Sequence, residues 1–340
     1  MSENSTEIDS QLLGDYLQNN IDSFHGLTKL VKFDVGQSNP TYKVVAESGN
    51  YVLRRQPPGE LLKSAHQVDR EYRVMHALRD TDVPVPVMHH LCTDTSVIGS
   101  MFFVMEFANG KPLLDPAMPD IEMERRADYY FSAIDVMAAI HSVDLEKTGL
   151  SDFGKGVDYF ARQTALWTKQ YRLAETDQRD DMETLIEWLP ANLPTDDGQV
   201  TLTHGDYKFD NMLFAPGEPR AIAVLDWELS TLGHPIADLA YFCMCLRMPS
   251  SGVVLGLGGL DREELGIPGE AALLEHYCAA RGLDSVPHFN TYLAFSFFRL
   301  ASISQGVYKR SKIGNASSER AVFAGEGARQ LAAEAIKLIG

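Results

Sequence analysis

The order of strand-like and helical patterns along the chain restricts the fold more than any other feature. Apolar and β-branched stretches bounded by turn residues come first, and the first three of them have the spacing typical of an antiparallel meander. These stretches occupy residues 27–35, 41–47, 51–55, 87–94 and 101–107. Between the third and fourth, residues 64–80 carry apolar side chains at helical spacing and predict one helix.

The pattern changes at about residue 119, beyond which it is mostly helical. Brief strand-like pieces interrupt it only at 200–214 and 221–226. The sequence therefore predicts an α+β protein, with a small antiparallel-sheet lobe and one helix at 1–107 and a larger, mainly helical lobe at 108–340. The segment "ANGKP", which begins the second range, is the expected hinge between the two.

Length and composition exclude several classes of protein. The 340 residues can bury a large core and contain no apolar run long enough for a membrane helix. The first 20 residues lack a basic region followed by an apolar segment, so we expect a cytoplasmic protein. The four cysteines form no C-x-x-C pair, which argues against a zinc site or a disulfide framework. A formal net charge of −17 makes nucleic acid and anionic membranes unexpected partners.

The densest group of polar side chains lies in "LTHGDYKFDNMLF", residues 202–214. His204-Gly205-Asp206 is followed by Asn211, and Asp226 then ends the apolar run "IAVL". This is the H-x-D-x4-N spacing of a kinase catalytic loop, with a metal-binding aspartate on the following strand. Phosphoryl transfer needs one carboxylate free of metal near the acceptor hydroxyl, and a second carboxylate and an amide on Mg²⁺.

The requirements of phosphoryl transfer suggest a role for each of these side chains. We expect Asp206 to accept the proton of the substrate hydroxyl, and Lys208 to reach the transferring phosphoryl group. Asn211 and Asp226 offer the hard oxygen ligands that magnesium prefers. His204 is interpreted as a structural residue that braces the loop.

The segment "LTHGDYKFDNMLF…AVLDWELSTLGHPIADLAYF" resembles the aminoglycoside phosphotransferase and choline kinase-like family. The resemblance implies a bilobal protein-kinase-like fold, ATP and Mg²⁺ as cofactors and a hydroxyl group as acceptor. The family usually shows G-D-P-x-x-D-L-A, and His234 stands where the first aspartate of that motif often lies. We expect this departure to affect local loop structure rather than chemistry, and Asp238 to be a buried anchor for the loop.

The resemblance also assigns nucleotide contacts upstream. The turn "DVGQSNPTYKV" would cover the phosphates through Gly36, Gln37, Ser38 and Asn39, with an ordinary hairpin turn as the alternative.

In "YVLRR", the resemblance implies that Val52 belongs to the V-x-K-type strand that contacts the nucleotide and that Arg54 takes the position of the phosphate-binding lysine. Arg55 should point to the opposite face of the sheet because side chains alternate along a strand. Glu71 is the expected carboxylate partner of Arg54, or else a solvated helix charge. The backbone at Glu106 and Phe107 would bind the adenine edge, where apolar side chains also serve the core.

The acceptor is predicted by analogy. Residues 54–78 resemble the phosphotransferase-like domains that in animals are fused to acyl-CoA dehydrogenases and that have free-standing bacterial relatives. This implies a hydroxy acid or hydroxyacyl-CoA as acceptor and a functional link to an acyl-CoA dehydrogenase. Arg299 could hold a substrate carboxylate or pair with a structural acid, and both readings stay open. An aminoglycoside or amino-alcohol acceptor is the alternative, and it would require several acidic groups in the pocket.

Other classes fit less well. The stretch "GVVLGLGGLD", residues 252–261, lacks the third glycine of a dinucleotide-binding turn. A protein kinase is disfavoured because "DWE" lacks the glycine of D-F-G and no A-P-E-like segment follows. A nucleotide-binding or inactive pseudokinase partner is the main alternative from another class, since Arg54 replaces the usual lysine. The presence of Asp206, Asn211 and Asp226 together argues against it.

Overall fold

The computed structural model describes residues 8–33, 39–57, 66–251, 255–312 and 319–340, with side chains from 324 onward in the last range. The described chain forms two compact units. Unit 1 takes the described residues within 1–112, 148–150 and 212–229, and unit 2 takes those within 113–147, 151–211 and 230–340.

An antiparallel five-stranded sheet in the order β1-β2-β3-β5-β4 forms the centre of unit 1. Its strands are β1 Leu27–Lys32, β2 Thr41–Ala46, β3 Gly49–Arg55, β4 Met88–Cys92 and β5 Phe102–Glu106. The meander predicted for the first three strands is confirmed by the pairing of β1 with β2 and of β2 with β3. Buried side chains such as Leu53 and Val104 form the core beneath the sheet.

Two helices accompany this sheet. The predicted helix is α2, Val68–Leu78, whose first turn carries Glu71. The amphipathic N-terminal segment forms an additional helix, α1, Ser10–Asn20, which begins where Asp9 accepts two backbone N–H groups.

Unit 2 consists mainly of helices, as the sequence predicts. They are α3 Met123–His141, α4 Tyr159–Ala174, α5 Asp180–Asn192, α6 Ile236–Arg247, α7 Glu270–Arg281, α8 Phe289–Lys312 and α9 Glu319–Ile339. Two strands, β6 Thr201–Thr203 and β9 Thr231–Gly233, pair antiparallel and carry the loop that follows β6. Helix α6 is buried from Ile236 to Leu246, because apolar residues surround its axis.

A second short ladder belongs to unit 1. It joins β7, Met212–Phe214, to β8, Ala221–Val224, and leads the chain to Asp226. Within the described ranges, none of the helices combines the length and apolar character needed to cross a bilayer.

Candidate active site

The loop after β6 is fixed by a buried carboxylate of unit 2. Asp238, which is 1% exposed on α6, accepts the backbone N–H groups of His204 at 2.7 Å and of Gly205 at 2.8 Å. Gly205 has a φ of +83°, a conformation that glycine adopts without strain, so the chain can turn sharply here. Asp238 is therefore the anchor of the loop that the sequence predicts.

A second contact ties this anchor to two more helices. Nε2 of His141 on α3 lies 3.3 Å from Oδ2 of Asp238, and Nδ1 of the same ring lies 2.7 Å from the hydroxyl of Tyr277 on α7. Burial lowers the pKa of His141, which keeps the ring neutral at neutral pH. Burial by itself would raise the pKa of Asp238, but His141 and the donated N–H groups outweigh it and lower that pKa. The negative charge is therefore balanced mainly by hydrogen bonds.

Asp206 follows the anchored backbone, and its carboxylate is held at both oxygens. Oδ1 accepts the hydroxyl of Tyr241 at 2.6 Å, and Oδ2 accepts Nδ2 of Asn211 at 2.9 Å. The side chain is still 21% exposed, so a reactant could approach it. Asn211 is brought to this position by a turn of 3-10 helix, Phe209–Asn211, and it also donates to the Asp206 carbonyl at 2.8 Å. The spacing of five residues thus brings the predicted pair together.

Lys208 lies between two carboxylates of the same loop. Its Nζ is 3.0 Å from Oδ2 of Asp210 and 3.6 Å from Oδ2 of Asp206. Burial disfavours the charged form, but these two carboxylates outweigh it and raise the pKa of Lys208 well above its ordinary value. The side chain is therefore a permanent cation beside Asp206.

Arg299 supports the loop backbone. One terminal nitrogen donates to the Gly205 carbonyl at 2.9 Å, and the guanidinium lies 5.8 Å from the ring of Trp167 and 5.4 Å from that of Tyr241. Among the described residues no carboxylate forms an ion pair with Arg299. Its observed partners are a backbone carbonyl and two aromatic rings, and not the structural acid that the sequence offered as one possibility. Binding of a substrate carboxylate by Arg299 remains a prediction.

Arg54 is the centre of an ionic cluster in unit 1. Its Nε donates to Glu71 at 2.8 Å, which confirms the predicted ion pair, while the terminal nitrogen donates to Oδ1 of Asp226 at 2.6 Å. Glu228 lies 3.8 Å from the same nitrogen. Burial raises the pKa of Glu71 to about 7, although Arg54 opposes the shift. Arg55 points to the other face, as predicted, and donates to Ser100 at 2.9 Å.

Asp226 follows β8 in an uncommon conformation. Its φ of 63° lies in the left-handed region, which aspartate tolerates better than most residues but still at some cost. The buried indole of Trp227 donates to the Val224 carbonyl at 3.0 Å and so closes the turn. The side chain of Asp226 is 32% exposed.

Of the four residues predicted for the phosphate turn, the structure describes one. Gly36, Gln37 and Ser38 lie outside the described residues. Asn39 is buried, donates to Glu228 at 3.3 Å and lies 3.0 Å from Nδ1 of His66, so its amide braces unit 1.

The strand that the sequence predicts to bind adenine is partly engaged in its own sheet. Val52 is buried in β3. The N–H of Glu106 donates to the Val87 carbonyl at 2.8 Å, and Lys43 lies 4.4 Å above the ring of Phe107. The N–H of Glu106 is therefore already paired within unit 1.

The predicted magnesium ligands present suitable atoms. Within the described residues, Oδ1 of Asn211 and Oδ2 of Asp226 accept no hydrogen bond, because their other polar atoms take the contacts given above. In that part of the chain no group of three or more His, Cys, Asp and Glu could hold a metal. Each of these oxygens is of the hard type that magnesium prefers.

Sequence reasoning missed Tyr241 and Glu228. Tyr241 lies three residues after Asp238 on a helix, so that spacing could have placed both side chains on the face toward the loop. Glu228 belongs to the "DWE" triplet, and its contacts with both Asn39 and Arg54 appear only in the folded structure.

The sheet of unit 1, the helices of unit 2 and the loop from His204 to Asn211 define the protein-kinase-like class of phosphotransferases. The model of the phosphotransferase enzyme family, APH, matches residues 29–283, well over half of the chain. The chain belongs to this family, as the resemblance implies.

Similar proteins agree with the family. Mouse acyl-CoA dehydrogenase family member 10 is 48% identical over 302 residues, which cover 88% of this chain and 28% of that protein. The crystal structure of a candidate aminoglycoside phosphotransferase from Ralstonia eutropha JMP134 is 43% identical, with a TM-score of 0.89 and 98% of both chains covered. The chain spans less than half the length of such curated relatives, between 28% and 41% of each.

A more distant structure shares the fold alone. Spectinomycin phosphotransferase APH(9)-Ia, solved in complex with ADP and spectinomycin, has a TM-score of 0.64 at 12% identity, with 97% of this chain and 98% of that chain covered.

Proposed function

We propose that this protein is an ATP-dependent small-molecule kinase that transfers the γ-phosphoryl group to a substrate hydroxyl. The observation that carries the proposal is the carboxylate of Asp206, which is partly exposed and is oriented at both oxygens by Asn211 and Tyr241. Membership of the phosphotransferase family supports it, as does the ADP bound by a protein of the same fold.

Asp206 acts on the acceptor in this proposal. The acceptor oxygen forms a bond to the γ-phosphorus, the bond from that phosphorus to the β–γ bridging oxygen breaks, and ADP leaves with the electron pair. The hydroxyl proton moves to a carboxylate oxygen of Asp206. Lys208 supplies fixed positive charge beside this carboxylate, where the transferring group would gain most from it.

Asn211 and Asp226 are the proposed magnesium ligands, through the oxygen that each leaves without a described partner. Bound Mg²⁺ would neutralise phosphate charge. The nucleotide contacts remain proposals from the resemblance. They are the phosphate turn of Gly36, Gln37, Ser38 and Asn39, the strand residues Val52 and Arg54 with Glu71, and the backbone at Glu106 and Phe107. The boundary between the lobes at 1–107 and 108–340 likewise remains a proposal.

The proposed acceptor is a hydroxy acid or a hydroxyacyl-CoA. Arg299 supports an acidic substrate, because one nitrogen binds Gly205 while no other described residue accepts a hydrogen bond from the remaining guanidinium N–H groups. The names of the curated relatives support a functional link to an acyl-CoA dehydrogenase, as does their length beyond the matched part. A cytoplasmic location remains the expectation from the sequence.

The test is transfer of phosphate from Mg-ATP to a panel of hydroxy acids, hydroxyacyl-CoAs, amino alcohols and aminoglycosides, detected by mass spectrometry. Wild-type protein, Asp206→Ala and the surface control Asp135→Asn are assayed together. We expect a phosphorylated product with wild type and the control, and a loss of about 100-fold or more in turnover for Asp206→Ala with Mg-ATP affinity unchanged.

Three other outcomes would contradict part of the proposal, whereas binding of Mg-ATP without product would mean that the panel lacks the right hydroxyl. Equal turnover of wild type and Asp206→Ala would refute the role of Asp206. Product formed only from aminoglycosides or amino alcohols would refute the acceptor class. If wild type neither forms product nor binds Mg-ATP, the protein is a pseudokinase. A hydroxy acid and its amide should differ at least tenfold in KM if a carboxylate contact to Arg299 contributes a charged hydrogen bond.

A further inference from the structure

Helix α6 presents two polar side chains, three residues apart, to the loop that carries Asp206. Asp238 holds the loop backbone, and Tyr241 reaches the side chain of Asp206 itself. Every residue from Ile236 to Leu246 is buried, so a polar group on this helix is costly without a partner. The Tyr241 hydroxyl has such a partner, because it donates a hydrogen bond to the carboxylate of Asp206.

The contact has the geometry of a charge-assisted hydrogen bond. The oxygen atoms of Tyr241 and Asp206 are 2.6 Å apart, within the short range found for a hydroxyl that donates to a carboxylate. Tyr241 is only 8% exposed. Burial, together with the nearby Cys245 and Asp206, raises the pKa of Tyr241 well above its ordinary value, which keeps the hydroxyl protonated as a donor.

The Tyr241 ring is held by a group that also holds the loop. The guanidinium of Arg299 lies 5.4 Å from the ring centroid and donates to the Gly205 carbonyl at 2.9 Å. The hydroxyl and the backbone beside Asp206 are therefore positioned by the same two helices, α6 and α8. A donor fixed in this way restricts the carboxylate with little further loss of side-chain entropy.

Two donors on opposite oxygens define the plane of the Asp206 carboxylate. Tyr241 takes one lone pair of Oδ1, and Asn211 takes one of Oδ2 at 2.9 Å. Each oxygen keeps a second lone pair, which can accept the proton of an incoming hydroxyl. Loss of either donor would let the carboxylate rotate about its Cβ–Cγ bond.

We propose that Tyr241 is a positioning residue for phosphoryl transfer, which acts through its hydrogen bond to Asp206 and does not touch the substrate. The inference rests on the proposed kinase function and deepens it. Tyr241→Phe removes only the hydroxyl and keeps the ring against Arg299. The matched control is Tyr130→Phe, because Tyr130 is also buried and donates at 2.6 Å, but to the Pro116 carbonyl.

The experiment measures kcat and KM for Mg-ATP and for the acceptor found in the panel, with slow Mg-ATP hydrolysis by water measured in parallel. We expect Tyr241→Phe to lower kcat about 10- to 100-fold, with both KM values within about threefold of wild type. Tyr130→Phe should lower kcat less than about threefold. When Asp206 is already alanine, Tyr241→Phe should cause no further loss of the residual rate, since its partner is gone.

Other results of this experiment would distinguish a failure of the positioning role of Tyr241 from a failure of the kinase function. Wild-type kcat in Tyr241→Phe would overturn the inference and leave the kinase assignment standing. A further loss of the same size in the Asp206→Ala background, or an equal loss in Tyr130→Phe, would also overturn it, since either indicates a general structural effect. Absence of transfer by the wild type to every acceptor, water included, would refute the kinase function and the inference with it.

Discussion

Replacing Asp238 by asparagine tests how strongly the buried carboxylate holds the loop. Oδ2 accepts the N–H of His204 and lies next to His141, whereas Oδ1 accepts the N–H of Gly205. Asparagine keeps one oxygen and replaces the other with an NH₂ group. In either orientation one backbone N–H then faces a donor instead of an acceptor.

The size of the effect follows from these contacts. One charge-assisted hydrogen bond is lost, about 1.5–3 kcal/mol, and a buried N–H is left unpaired, about 1–3 kcal/mol. Easier burial of the neutral amide offsets part of that loss. We therefore expect Asp238→Asn to lower the free energy of unfolding by about 3 kcal/mol.

The control is the same substitution in a contact of similar chemistry at the surface. Asp135 lies 2.7 Å from Nε2 of His276 and is 61% exposed, so Asp135→Asn should change stability by less than about 1 kcal/mol. Urea unfolding followed by tryptophan fluorescence measures both variants, and phosphoryl transfer is assayed below the unfolding transition. Equal midpoints for the two variants, or a clearly destabilised Asp238→Asn protein with wild-type kcat, would refute the anchoring argument.

Two further predictions concern the ionic cluster of unit 1. The pKa of Glu71 is raised from 4.5 to about 7, so its contribution to stability is present below about pH 4.5 and is lost as pH rises through about 7. The free energy of unfolding of Glu71→Gln should therefore rise relative to that of wild type between pH 5 and pH 8, by up to about 3 kcal/mol in thermal unfolding, and a constant difference across this range would contradict the shift. Arg54→Lys should destabilise by about 1–2 kcal/mol in thermal unfolding, because one ammonium cannot span Glu71 and Asp226 as the two guanidinium nitrogens do. The exposed Arg220→Lys is its control, and an equal effect of the two would contradict this reasoning.

The sequence predicts well those features that repeat along the chain or stand at a fixed spacing. Alternation placed Arg54 and Arg55 on opposite faces of β3, and helical spacing located α2 with Glu71 in its first turn. The motif placed Asp206 and Asn211 in one loop, and a turn of 3-10 helix at Phe209–Asn211 brings the two side chains within hydrogen-bond distance. These are local relations, so period and spacing suffice to find them.

Contacts between residues far apart in the chain were predicted only where a motif named both partners. The pair Arg54–Glu71 was found in this way, but the bond from Arg54 to Asp226, which joins residues 172 positions apart, was not. Arg299 was assigned to a substrate or an acid because guanidinium groups usually bind carboxylates. Its actual partner, the Gly205 carbonyl, is a backbone group present at every residue, and no sequence pattern distinguishes it.

His234 shows how the chain tolerates a departure from the family motif. Its Nδ1 accepts the N–H of Ile236, the first residue of α6, at 3.3 Å, which is what an aspartate at the same place could do. Nε2 lies 3.3 Å from Asp197, and the ring stacks on Tyr292 with centroids 5.8 Å apart. Histidine therefore supplies the acceptor that the start of α6 requires and adds packing that aspartate lacks. Since α6 carries both Asp238 and Tyr241, a correct start of this helix sets the loop at Asp206, and the substitution at 234 can leave the chemistry of the loop unchanged.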